Sequence, residues 1–125
     1  MNSKTKNIIN WVLAGLVGFI FVGSAISKLT GGEEALKMAS GIGLDANTFR
    51  IVAIVELVSV ILFLIPRTGI LGTLLLAAYM GGAIATHLEH NQSVIAPAAI
   101  QAFVWIVAVI RFEELRVRLF GMQKA

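Results

Sequence analysis

Four apolar blocks, set apart by short polar, glycine or proline breaks, organise this chain: residues 8–29, 48–65, 69–87 and 94–110. Each is near the 17–25 residues that cross about 30 Å of hydrocarbon as a helix. The pattern therefore predicts an all-α protein with four transmembrane helices. Trp11 sits near the start of the first span, as an interfacial anchor does. Asp45 or Asn47 can cap the second, and Pro66 stops it because proline blocks helix continuation. Pro97 falls in the first turn of the fourth, where proline is tolerated.

The breaks set the topology. Pro66-Arg67-Thr68-Gly69 is short enough only for a tight turn, so the second and third spans form an antiparallel hairpin. Between the first two spans, Thr30-Gly31-Gly32 ends one helix. Residues 33–40 can then form a short amphipathic segment on the membrane surface, with Ala35, Leu36 and Ala39 inward. Residues 111–125 read as an amphipathic tail in which Leu115, Val117, Leu119 and Phe120 alternate with basic residues, suited to lie on anionic lipid. The whole is an antiparallel four-helix bundle forming a single membrane domain over residues 1–125.

Composition sharpens this picture. A hydrophobic share of 58%, a charged share of 14% and a mean hydropathy of +0.88 do not suit a soluble globule, whose charged share is about 25%. The pI near 9.7 raises nucleic acid as a partner. The basic residues, however, sit at the ends of apolar blocks rather than in a patch, so the partner they indicate is a lipid bilayer. With four spans, Lys4, Lys6, Arg67, Arg111, Arg116, Arg118 and Lys124 share one side and Lys28, Lys37 and Arg50 the other. The positive-inside rule then places both termini in the cytoplasm, and the membrane expected for the chain is the cytoplasmic (bacterial inner) membrane. Lys4 and Lys6 precede an apolar run too long for a signal-peptide core, with no small-x-small cleavage site after it, so the first span is expected to be retained. Without cysteine the chain offers no dithiol, thiolate metal site or iron–sulfur cluster.

Small residues at helical spacing mark contact faces in lipid, where no hydrophobic drive separates helix from solvent. Thr73, Ala77, Gly81 and Ala85 make one such row on the third span, with Ala78, Gly82 and Thr86 beside it. That span is expected at the centre, approached closely from two sides. Ala14, Gly15, Gly18 and Ala25 serve the first span, and Ala98 and Ala108 the fourth.

The candidate chemistry lies in polar groups that interrupt the apolar blocks. Glu56 stands inside the second span, where an ionised side chain costs about 2.5–3.5 kcal/mol on insertion scales. Lys28, His87 and Gln101 fall in or beside the other three. At 1.5 Å per residue, Glu56 lies roughly 12 Å and Gln101 roughly 10 Å from the outer ends of their spans. All four thus reach the outer half of the bundle. Lys28 can extend to Glu56 and join two costly charges in one pair. Histidine is the residue type that exchanges protons near neutral pH, so His87 can pass them between the outer aqueous phase and Glu56. Tyr79 extends this polar line two turns before His87, Ser59 can orient the Glu56 carboxylate from one turn away, and Gln101 can act as interhelical glue. His87, Glu89 and His90 share one helix end, a poor geometry for a metal, and no metal site is assigned.

The same residues carry a family resemblance. Residues 21–29 (FVGSAISKL), then Glu56, then 64–72 (LIPRTGILG), then 79–83 (YMGGA) followed by His87-Leu88, resemble the DoxX-like family of small four-helix membrane proteins. The family pattern falls on Lys28, Glu56 and His87. Ala53 and Ser59 stand where glycine is more typical of the family, a departure in packing rather than charge. The resemblance implies the four-helix fold. It also implies roles that differ among relatives: subunits of an archaeal thiosulfate:quinone oxidoreductase, a mycobacterial membrane partner of oxidative-stress enzymes, and an animal endoplasmic-reticulum chaperone for acetylcholine receptors.

Two functions follow as expectations. One is a redox-associated accessory protein that binds a lipid-soluble, quinone-like ligand at Lys28, Glu56 and His87 and takes electrons from a partner protein. The other is an assembly or chaperone-type interaction protein whose polar cluster is structural. A homo-oligomer is compatible with either. A solute permease suits the chain less well, because four short helices enclose little volume.

Overall fold

The computed structural model describes residues 2–121, and these form six helices: α1 (Ser3–Thr30), α2 (Glu33–Gly41), α3 (Ala46–Leu64), α4 (Gly69–Glu89), α5 (Ile95–Arg111) and α6 (Glu113–Phe120). Lys124 and the rest of the sequence-assigned tail at 122–125 lie outside the described residues. Three segments are long and apolar enough to cross a membrane: Ser3–Thr30, Ala46–Leu64 and Pro66–Glu89. The 17-residue α5 is at the lower limit for a span, and it bends by 106° into α6.

Local chemistry sets the helix ends. The Asn2 side chain accepts from the Thr5 amide at 2.8 Å to start α1, and Gly31 ends it in the left-handed region at φ 67°. Glu33 and Glu34 open α2, where negative charge complements the helix dipole. At α3 the cap is Asp45, whose carboxylate accepts from the Thr48 amide at 2.7 Å. That hydrogen bond from the Thr48 amide holds the Asp45 carboxyl below its usual range. The cap's contribution is therefore present at neutral pH and lost only as pH falls through the lowered value. Pro66 opens a 3₁₀ turn, Pro66–Thr68, that delivers the chain directly into α4.

The core joins α1, α3, α4 and α5, with α1 packed on α3, α3 on α4, α4 on α5, and α5 back on α1. Phe21, Phe63, Leu76, Val104 and Val107 are fully enclosed there, and Leu115 of α6 joins the same cluster. Only 28–33% of the most apolar stretch of each candidate span is buried inside the molecule. Outside, Val12, Phe19, Ile51, Ile54, Val58, Leu71 and Leu74 are exposed. An apolar exterior around an apolar interior is the arrangement a lipid environment requires. A second, smaller cluster holds Ala35 and Ala39 of α2 against Phe49 of α3. Leu36, expected inward with them, is exposed instead. It follows Ala35 by one position and so lies about 100° round the helix from the buried stripe.

The close helix contact falls elsewhere than expected on α4. A Cβ at Gly72 would strike the backbone of Phe63, and one at Gly69 the ring of Phe112. At Gly81 and Gly82 a Cβ would meet nothing within 4 Å. The tight contacts thus precede both small rows, and of the row residues only Thr73 is fully buried. Gly72→Ala is expected to push α3 and α4 apart and cost about 3 kcal/mol, the upper end for overpacking, because backbone cannot swing aside. Thermal unfolding in detergent reads this directly. Gly23→Ala, whose added Cβ is unobstructed, serves as the near-neutral control.

Candidate functional site

Three helices bring their polar residues to one point. Lys28 Nζ, near the end of α1, donates to Glu56 Oε1 of α3 at 2.8 Å and to the Tyr79 hydroxyl of α4 at 2.6 Å. The ammonium also lies 5.7 Å from the Phe49 ring centroid and 5.3 Å from that of Tyr79, within cation–π range. Ser24, one turn before Lys28, donates to the same Glu56 oxygen at 3.3 Å. The side chains are 12% exposed for Lys28 and 3% for Glu56. At that burial an unpaired charge would be costly, so pairing is what permits either residue to stay.

A cavity of about 600 Å³ lies between α2, α3 and α4, and Lys28 and Tyr79 of the cluster line it beside Phe49 and Val52. Ala78 and Gly82 of α4 make its wall, while Lys37, Met38, Ile42 and Leu44 come from α2 and the loop after it. This explains the open space at Gly82: the second small row of α4 borders a cavity and not a packed helix. Gln92 Nε2 donates to the Gly41 carbonyl at 2.9 Å, tying the α4–α5 loop to the end of α2 across the rim.

His87 lines the same cavity two turns beyond Tyr79, about 12 Å further along α4. Its Nδ1 lies 2.6 Å from the Ala83 carbonyl. A carbonyl only accepts, so Nδ1 carries the hydrogen of this bond, and Nε2 is left for a guest or solvent. Lys28 spends two of its three N–H donors on Glu56 and Tyr79. The cavity therefore has hydrogen-bonding groups at both ends and apolar walls between them, the usual make-up of a small-molecule site.

Two residues from the sequence reading stand apart. Ser59 is buried but donates to the Val55 carbonyl at 2.7 Å, the back-bond a serine makes inside a helix, and not to Glu56. Gln101 Nε2 donates to the Ala77 carbonyl at 3.2 Å, and its Oε1 is buried without a partner. Ala77 precedes Tyr79 by two residues, about 200° round α4, so Gln101 meets the opposite side of that helix. Ser24, in contrast, was not singled out by the sequence. Its spacing, one turn before Lys28 on the same helix face, is the signal that could have found it. His87 and His90 each bond a carbonyl one turn back, of Ala83 and Thr86. Among the described residues no group of three metal-ligating side chains forms.

The opposite end of α3 has its own polar device. Arg111 donates from Nη1 to the Phe63 carbonyl at 2.6 Å and from Nη2 to the Leu64 carbonyl at 2.8 Å. The Thr68 hydroxyl takes the Leu62 carbonyl at 2.8 Å. Three carbonyls orphaned where Pro66 ends the helix are satisfied in this way. The guanidinium lies 5.0–5.3 Å from the ring centroids of Trp11, Phe63 and Phe112.

Compared with known proteins, the chain matches the sequence model of the DoxX-like family over residues 12–110. No curated protein and no solved structure matches it.

Proposed function

The chain belongs to the DoxX-like family, and from that premise we propose that it is a four-span protein of the cytoplasmic membrane, a redox-associated accessory whose cavity binds a lipid-soluble, quinone-like ligand. In this reading α1, α3, α4 and α5 span the bilayer as an antiparallel bundle, both termini are cytoplasmic, and the 106° bend lays α6 along the surface. Seven of the ten basic residues then fall on the terminal side. The observation that carries the ligand is the cavity itself, apolar along its walls and floored by a lysine and a tyrosine. A ring carbonyl would find the spare N–H of Lys28 and the Tyr79 hydroxyl at depth, while Phe49, Val52 and Ala78 face its apolar body. Glu56 stays behind this surface and holds Lys28 in place. Quinone reduction consumes two electrons and two protons. His87 lines the cavity two turns beyond Tyr79, toward the end of α4, and serves as a proton carrier, while the electrons require a partner protein.

Titration of a short-chain quinone into the protein in nanodiscs tests this. Wild type is expected to bind, with affinity lowered about tenfold by Glu56→Gln, which frees Lys28, and by about five- to tenfold in Tyr79→Phe, roughly the net worth of one hydrogen bond. Unchanged affinity in both variants contradicts the proposal. One observation favours the second reading, an assembly partner with a structural polar cluster: Glu56 Oε1 already accepts from both Lys28 and Ser24 within the chain. That reading requires a stoichiometric complex with another membrane protein and no ligand, which crosslinking in native membranes would detect.

A further inference from the structure

A second hollow, of about 420 Å³, lies where the start of α1 meets the end of α5 and the first turns of α6. Its lining is Lys6, Ile9, Asn10, Ile110, Arg111 and Arg116: three cations, one amide, two isoleucines and no carboxylate. Among the described residues the only ion pair is Lys28–Glu56, so none of these three cations has a carboxylate partner there. Like charges gathered in one concavity repel each other, and an anion between them reverses the sign of that interaction.

The donors are also held ready. Arg111 gives two of its five N–H groups to the Phe63 and Leu64 carbonyls, and Arg116 gives two, both from Nη1, to the Val109 and Ile110 carbonyls at 2.8 and 2.6 Å. The remaining N–H groups of each fork are unassigned, and the backbone bonds fix both guanidiniums before any ligand arrives. A preordered fork loses little side-chain freedom on binding. Planar guanidiniums suit the paired oxygens of a phosphate. The hollow lies at the start of α1 and the end of α5, where a helix that spans a bilayer meets the headgroups, and exposed Ile8, Trp11 and Ile110 of the same turns can receive acyl chains. We propose that this hollow is a phosphate-binding site, filled in the membrane by the headgroup of an anionic phospholipid. The assignment is independent of what occupies the α2–α3–α4 cavity.

Native mass spectrometry of the full chain, released from detergent with phosphatidylglycerol, phosphatidylcholine or inorganic phosphate, tests it. Phosphatidylglycerol is expected to be retained in preference to phosphatidylcholine. Lys6→Gln should lower that retention about fivefold, the worth of one basic residue near a charged surface, while leaving the unfolding temperature at the wild-type value. Lys4→Gln, which removes a neighbouring charge outside the hollow, should change it little. Failure of millimolar inorganic phosphate to displace the lipid supports the headgroup as occupant; displacement supports the phosphate site with the free anion as its ligand. Equal retention of the two lipids, or equal loss in Lys4→Gln and Lys6→Gln, would overturn the proposal in favour of a diffuse surface effect.

Discussion

Lys28→Met is expected to cost the folded protein about 3–5 kcal/mol, the penalty for leaving one member of a buried ion pair without its partner. The stranded group would be a carboxylate only 3% exposed, whose other hydrogen bond is the 3.3 Å contact from Ser24. Glu56→Leu should cost less. The ammonium left behind is 12% exposed, keeps its 2.6 Å bond to Tyr79 and borders a cavity. The double variant should be more stable than Lys28→Met alone, because it buries no unpaired charge. Midpoints of unfolding in one detergent give all three values as a double-mutant cycle. Strict additivity would mean that the two residues do not interact in the folded protein.

The second large effect is at Arg111. Arg111→Ala removes two charge-assisted hydrogen bonds to the end of α3 and the contact with three aromatic rings. A loss of about 2–4 kcal/mol is expected, since hydrogen bonds to charged groups contribute about 1.5–3 kcal/mol each and are not additive here. Arg111→Lys keeps the charge but not the fork, so it should recover less than half. Hydrogen exchange localises the effect: amides at the end of α3 and in the Pro66–Thr68 turn should open faster, and those of α2 should not. Wild-type exchange at the turn in Arg111→Ala would remove the arginine from its capping role.

Much of this architecture is legible in the sequence because lipid leaves so few alternatives. Apolar blocks of spanning length mark α1, α3 and α4, and Pro66 places the turn after α3 within a residue or two. Helix rise and direction alone put Lys28 and Glu56 in the same half of the bundle, within reach of the long lysine stem, and the two side chains do bond. Periodicity says less about neighbours. Arg111 at a span end reads as a topology signal, since nothing along the chain reveals that the last carbonyls of α3 lie beside it. Small residues at Ala78 and Gly82 announce space but not what fills it, so they read as a helix contact and prove to be a cavity wall. Ser59 has the right spacing to serve Glu56, yet its hydroxyl finds the nearer Val55 carbonyl first.

If the α2–α3–α4 cavity holds a discrete lipid-soluble molecule, filling the cavity displaces it. Gly82 borders the space and an added Cβ there meets nothing, so Gly82→Leu should occupy it while leaving the Lys28–Glu56 pair intact. Mass spectrometry of the organic extract from purified wild-type and Gly82→Leu protein is the measurement. A quinone or other single species carried by the wild type and absent from an equally stable Gly82→Leu is the predicted result. Identical extracts containing only bulk lipid would contradict the account and leave Lys28, Glu56 and Tyr79 as a structural staple.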